Sequence, residues 1–232
     1  MKNQHFKIIK SLLQGYTMCR SFMDLEAETF NLKGEVLDAG SKSTNASYYK
    51  HIDTSNAKII FSDINAKDNT ILKLNFEEPL QVNSESFDTV IAMNLLEHIF
   101  NYHLFLTEVN RILRKGGMLV GCVPFLIPYH ADPDDYFRYT HTTINKILKD
   151  AGFKNIEVNT IGEGGLLCTS DLLFTYYPNT SRIMYRLRII HRLVSVLLYT
   201  FNEFIKLFKI GGESKNKGAY LALSFKAYKD ND

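Results

Sequence analysis

The chain is poor in cysteine. It has three in 232 residues, Cys19, Cys122 and Cys168, and no CxxC pair. An odd, scattered set of this kind excludes a disulfide framework, offers no zinc-finger spacing and fits a reducing compartment. Charge of one sign is also scarce. The formal net charge is +2, so nothing global points to a nucleic-acid partner. No run of 18 or more apolar residues occurs, and no transmembrane helix is expected. The opening MKNQHFKIIKSLLQG is broken by Lys7 and Lys10, so it lacks the apolar centre of a cleaved signal peptide. A cytoplasmic protein is the expectation. What remains is ordinary: 45% hydrophobic and 22% charged residues, and a length that suits one large domain with a sizeable core.

Along the chain, strand and helix patterns alternate. Residues 5–30 carry Phe6, Ile9, Leu12, Leu13 and Tyr16 at helical spacing and read as an N-terminal helical cover over 1–33. Strands are expected at 35–39, 58–63, 70–76 (a weaker one), 87–94, 118–125, 154–162 and 218–229. Helices are expected at 100–117, ended by Arg114, Lys115 and two glycines, and at 142–153, ended by Gly152. The interval 163–217 reads as a helical insertion, and 218–232 as a final strand with a short tail. Strands separated by helices specify an α/β, doubly wound, Rossmann-like sheet of seven mostly parallel strands. Such a sheet binds ligands beyond the carboxyl ends of its strands, at the point where strand order reverses.

The stretch VLDAGSKST, 36–44, falls at that place. Gly40 allows close backbone approach to a ligand, and Asp38 sets a carboxylate at the end of the strand. Asp63 ends the second strand, where an acid can accept two hydrogen bonds from a ribose diol. A dinucleotide also needs a glycine-rich turn for its pyrophosphate, and GSKSTN lacks the second and third glycines of GxGxxG. A cofactor without phosphate tolerates that loss better.

SFDTVIAMNLLEHI (86–99) and EVNRILRKGGMLVGCVP (108–124) resemble the class I S-adenosylmethionine-dependent methyltransferases. The likeness spans about 34–162, the cofactor-binding core, and the last strand, which in that family runs antiparallel. PYHADPDDYFRYT (128–140) is similar to a subgroup associated with surface-glycan and small-molecule modification. The resemblance implies S-adenosyl-L-methionine as cofactor and methyl transfer, with an oxygen of a glycan or other small molecule as acceptor. It implies that Asp38 and Gly40 lie by the methionine part and that Asp63 binds the ribose. Asn75 and Phe76 would meet the adenine, and Asn94 and Leu95 would line the pocket under the sulfonium. Ser41, Lys42 and Ser43 depart from the family's small residues, and Lys42 adds a positive charge that an outward side chain would carry into solvent.

An alcohol acceptor needs a base. His98, His130 and Asp134 are the candidate catalytic residues, with Asp132 and Asp135 beside them. Glu97 is read as an acid favoured at a helix start. No metal is expected, because no HxxxH or other fixed ligand spacing occurs. Tyr136, Phe137, Arg138 and Tyr139 read as packing for a lid, with Arg138 as an alternative clamp for an anionic group.

On a helix over 188–209, which Gly211 and Gly212 are expected to end, Ser195, Tyr199, Asn202 and Lys206 fall on one side. Ile190, Leu193, Leu197, Phe201 and Phe204 fall on the other. Residues 182–209 hold six Lys/Arg and one acid. The apolar side can cover the sheet, pair with a second subunit as a homodimer, or lie as a peripheral contact on the inner membrane face. Two other functions stay open: a scaffold protein that kept the fold and lost turnover, and a nicotinamide-dependent oxidoreductase.

Overall fold

The computed structural model describes residues 2–174, 182–207 and 218–231. Six strands form one sheet: β1 (Gly34–Ala39), β2 (Ala57–Ser62), β3 (Phe87–Met93), β4 (Leu113–Pro124), β5 (Lys154–Ile161) and β6 (Ala222–Tyr228). Their order is β2-β1-β3-β4-β6-β5. β2, β1, β3 and β4 pair in parallel, and β6 runs antiparallel between β4 and β5. The chain leaves β1 for one edge and returns on its other side as β3, so strand order reverses at β1.

Period-two alternation sets the two faces. In β3, Val90 and Ala92 join one core while Ile91 and Met93 join the other. The first face is covered by α3 (Tyr102–Ile112) and α4 (His141–Asp150), with Phe105, Val109, Ile144 and Leu148 fully buried. The second is covered by α1 (Lys2–Gln14), α2 (Met18–Glu26) and α5 (Gly165–Phe174), through Ile8, Leu12, Met18 and Leu167. Side-chain caps fix the helix starts. Thr17 accepts from Arg20 N, Asn101 from Leu104 N and Thr140 from Thr143 N. The three cysteines are buried and free.

Three expectations need correction. Among the described residues the sheet has six strands, because 70–76 meets β2 only through the single Ser62–Leu72 bridge. Leu74 and Phe76 still alternate into the core, while Lys73 is exposed and no further ladder forms. The helix of 100–117 stops at Ile112, and 113–117 belong to β4. Leu113 is extended (φ −70°, ψ 141°), fully buried and paired with Phe87, while Arg114 reaches Asp88 on β3. A Cβ on Gly117 would lie 2.7 Å from the Arg114 carbonyl oxygen, so the glycines serve a tight strand entry.

The third correction concerns α6 (Arg182–Leu207), which packs on α5 and α1 as an outer layer. Its apolar side does not cover the sheet. Ser195, Tyr199 and Asn202 are buried, whereas Ile190, Leu193, Leu197 and Phe201 are each more than half exposed. The inner contacts include polar ones, with the Tyr199 hydroxyl 2.6 Å from His5 Nδ1 and Ser195 Oγ 3.3 Å from Ser170 Oγ, while the Tyr199 ring and Val196 pack on the second core. α1, α2 and α5 already cover that face of the sheet, so α6 docks on α5 and α1 rather than on the strands. The expected stop at Gly211 and Gly212 lies outside the described residues. No described helix is long and apolar enough to cross a membrane.

Candidate active site

The loops after β1, β3 and β4 converge at the carboxyl edge. A cavity of about 470 Å³ opens there, lined among others by Arg20, Asn94, His98, His130, Asp132 and Asp171. A larger groove, about 720 Å³, lies between α1, α2 and the 3-10 turn Ser47–Lys50. Lys7 there pairs with Glu28 and Lys50 donates to the Tyr16 hydroxyl, and among the described residues none from the loops after β3 and β4 lines it.

Asp38, the fifth residue of β1, is fully buried. Tyr48 and Tyr49 donate their hydroxyls to its Oδ2 at 2.7 and 2.6 Å, and Oδ1 has no hydrogen-bond partner. Burial pushes the carboxyl up to about 6, against the opposing pull of the Tyr49 and Tyr48 hydrogen bonds. The tyrosines stand on the 3-10 turn that replaces a full helix after β1. Gly40 has φ +80°, and a Cβ there would meet Leu95 Cδ1 at 3.0 Å. Asp63 follows β2 directly. Its side chain is 15% exposed, accepts from Asn65 N at 2.7 Å and faces Lys42 Nζ at 3.5 Å. Lys42 is thus solvated yet paired with the acid that the sequence marks for ribose. Asn75 accepts from Glu77 N and stays half-buried. Phe76 packs into the core edge-on against Phe105, 5.3 Å between ring centres, and does not line the cavity. Asn94 directly follows β3 with φ +51° and lines the cavity.

The loop after β3 carries the most unusual group. Glu97 sits in the 3-10 turn Leu96–His98 with its side chain fully buried, and neither carboxylate oxygen has a hydrogen-bond partner. His98 Nε2 and His130 Nε2 approach Glu97 Oε1 at 3.7 and 3.8 Å. His98 Nδ1 lies 2.5 Å from the Asp134 carbonyl oxygen. His130 Nδ1 lies 3.3 Å from the Pro128 carbonyl oxygen and 3.4 Å from Asp135 Oδ2. A carbonyl can only accept, so both Nδ1 atoms carry the hydrogen and both Nε2 atoms turn toward Glu97. Glu97, then Asp135, hold the His130 ring above its ordinary pKa, against desolvation.

Asp134 contributes through its backbone, while its carboxylate accepts from the Tyr136 hydroxyl. Asp135 is the structural acid of the loop. Its side chain is 1% exposed, accepts from His130 N and takes two hydrogen bonds from Arg138. That guanidinium holds the carboxyl down to about 2. Arg138 is therefore committed within the loop and is no free clamp. Tyr136 and Phe137 pack around Phe100, and Phe137 meets Tyr102 and Tyr139, which seats 128–139 on the turn after β3.

Of the residues singled out from the sequence, His98, His130 and Asn94 line this cavity, whereas Asp38, Gly40, Asp63, Asn75, Phe76, Leu95 and Asp134 are not among its lining residues. The sequence did not reveal Arg20 or Asp171, which come from α2 and α5. Asp171 accepts from Met18 N and Cys19 N at the start of α2, and burial raises its carboxyl to about 6. Nor did it show the tyrosine pair on Asp38 or the isolation of Glu97, whose signal was only the LEHI string.

These residues fit a cofactor with an ammonium, a carboxylate and a ribose. Asp38, with its unpartnered Oδ1, is chemically suited to an ammonium, Arg20 to a carboxylate and Asp63 to a diol; Arg20 lines the cavity, and Asp38 lies fully buried near the end of β1. Residues 34–121 match the family model of a methyltransferase domain. No curated protein matches the chain in sequence. Among solved structures, the chain is similar to phosphoethanolamine N-methyltransferase 2 of Haemonchus contortus in complex with S-adenosyl-L-methionine. The TM-score is 0.53 at 14% identity, over 90% of this chain and 51% of that one, so the chain spans about half of that enzyme. A SAM-dependent methyltransferase from Archaeoglobus fulgidus matches with TM-score 0.52 and 17% identity, over 85% and 86%. The [4+2]-cyclase SpnF matches with TM-score 0.54 and 12% identity, over 90% and 79%. At such identities these likenesses show the fold alone.

Proposed function

We propose that this chain, of which residues 34–121 match a methyltransferase-domain model, is a class I S-adenosylmethionine-dependent methyltransferase that methylates an oxygen of a small molecule or glycan. When bound, S-adenosylmethionine supplies a methyl group already activated on a sulfonium, so the protein has mainly to position the acceptor and deal with its proton. The observation that carries the reading is Glu97 with His98 and His130. An amine acceptor is nucleophilic once neutral, whereas a hydroxyl needs its proton drawn away. The buried Glu97 carboxylate and the two imidazoles that face it supply that pull. Asn94 and Arg20 line the same cavity and orient what enters it. Asp63 serves the ribose, with Lys42 as a neighbour that must swing aside or share it.

α6 supports a place for this chemistry. Its exposed apolar side, with the excess of Lys and Arg over 182–209, suits an anionic bilayer surface, where each basic residue adds roughly 1 kcal/mol. A glycan carried on a lipid would then meet the enzyme at that surface.

The test uses isotopically labelled S-adenosylmethionine with glycan and metabolite fractions, and nuclear magnetic resonance of the transferred methyl. An O-methyl signal is expected, and an N-methyl product would refute the acceptor class. Calorimetry with S-adenosylhomocysteine checks the premise, since a scaffold protein would give no heat at millimolar ligand. Asp63→Ala should weaken that binding by about 1.5–3 kcal/mol, the worth of a hydrogen bond to a charged group. Unchanged affinity removes the ribose role.

A further inference from the structure

We infer that Glu97, His98 and His130 form a binding site for a divalent transition-metal ion at the acceptor end of the cavity. The argument is one of electrostatic balance. Glu97 Oε1 and the Nε2 atoms of both histidines all lie within 4.8 Å of one another. With each Nδ1 hydrogen spent on a carbonyl or carboxylate, a neutral ring turns an Nε2 lone pair toward Glu97, and only a proton or a metal ion on that nitrogen makes the approach favourable. Neither oxygen of the fully buried Glu97 has a hydrogen-bond partner. Acceptors brought together out of water repel unless something positive lies between them.

The donor set has the chemistry of a cation site. Two imidazoles and one carboxylate suit zinc, manganese and their neighbours. Ligand atoms each about 2.1 Å from one ion lie at most about 4.2 Å apart, and both glutamate–histidine separations already satisfy that. His130, with its side chain 41% exposed, has room to close the set. Each ring is held from behind, His98 by the Asp134 carbonyl and His130 by the Pro128 carbonyl and Asp135. Such support fixes ring orientation at metal centres. The ligands come from two loops 32 residues apart, 98 and 130, which is why no ligand spacing showed in the sequence.

The site rests on the oxygen-acceptor reading and gives it a means. His98 and His130 line the cavity, so the ion's open side faces the space where the acceptor enters. There it would bind the acceptor oxygen and favour loss of its proton to solvent.

The experiment is titration of the chelator-treated full chain with Zn²⁺ and Mn²⁺, and with Co²⁺ as a visible-absorption probe. One ion per chain is expected. His130→Ala should lower affinity by more than the roughly 10–100-fold typical of a supporting residue, and Asp135→Asn by about that amount. Calorimetry with S-adenosylhomocysteine on each variant controls for folding. It also separates the two ideas: if the cofactor analogue binds but no stoichiometric ion does, the metal site fails while the methyltransferase reading stands. Equal ion affinity in wild type and His130→Ala, or an ion-free site with imidazolium protons on Nε2, overturns the inference.

Discussion

The carboxyl edge of the sheet and the outer helix α6 break the same rule in opposite directions. At the edge, polar atoms are buried without partners: Asp38 Oδ1 and both oxygens of Glu97. On α6, apolar side chains face outward (Ile190, Leu193, Leu197, Phe201), while Ser195, Tyr199 and Asn202 are tucked inside. Each arrangement costs stability, by desolvation in the first case and by lost apolar burial in the second. Each is also what a binding surface looks like before its partner arrives. The difference lies in the partner. On the proposals above, the edge would take small, positively charged or hydrogen-donating groups, and the helix an extended apolar, anionic surface.

The sharpest way to break the comparison is Glu97→Gln. If the buried carboxylate exists for chemistry, turnover should fall by about 10²–10⁴-fold while the melting temperature holds or rises. Retained turnover with a lower melting temperature would make Glu97 a structural residue instead.

Asp38→Asn comes next. Burial raises this carboxyl above its unfolded value, so its charged form destabilises the fold above about pH 6, and that cost fades as pH falls toward 4. The amide should therefore gain on the order of 1–3 kcal/mol at pH 8 and little at pH 4, and lose affinity for S-adenosylhomocysteine. Thermal melts at the two pH values decide the first point and calorimetry the second.

A smaller pair of changes compares the two sides of α6. Tyr199→Phe removes the inner hydrogen bond to His5 and should cost about 1 kcal/mol, leaving vesicle binding intact. Leu197→Glu on the outer side should shift stability by only about 0.5 kcal/mol or less, and should abolish co-sedimentation with phosphatidylserine vesicles. A concentration-dependent dimer lost in Leu197→Glu, with no vesicle binding in the parent, would give the face to a second copy instead.

Much of the architecture was legible in the residues. FDTVIAM announces a buried central strand because every position but one is apolar or β-branched, and it forms β3 as read. Asp38, Gly40 and Asn94 follow from topology, since loops after parallel strands must meet at one edge. The segment 70–76 misled because its alternation is real. Leu74 and Phe76 do bury, yet only one bridge to β2 forms. The glycines after Arg114 misled because a helix end and a tight strand entry use the same residue. The polarity of α6 was visible, but not its direction.

Local order was thus written in the sequence: which stretches are strand or helix, that the sheet is doubly wound, and that the loops after the first and central strands share an edge. Periodicity and sterics act over a few residues, and any chain with these patterns would obey them. The tertiary structure alone decided which groups lost their water. That two tyrosines cap Asp38, that two histidines from separate loops face one glutamate, and that α6 turns its polar side inward all depend on what else already filled the space. Desolvation and close contact are set by the whole packed assembly.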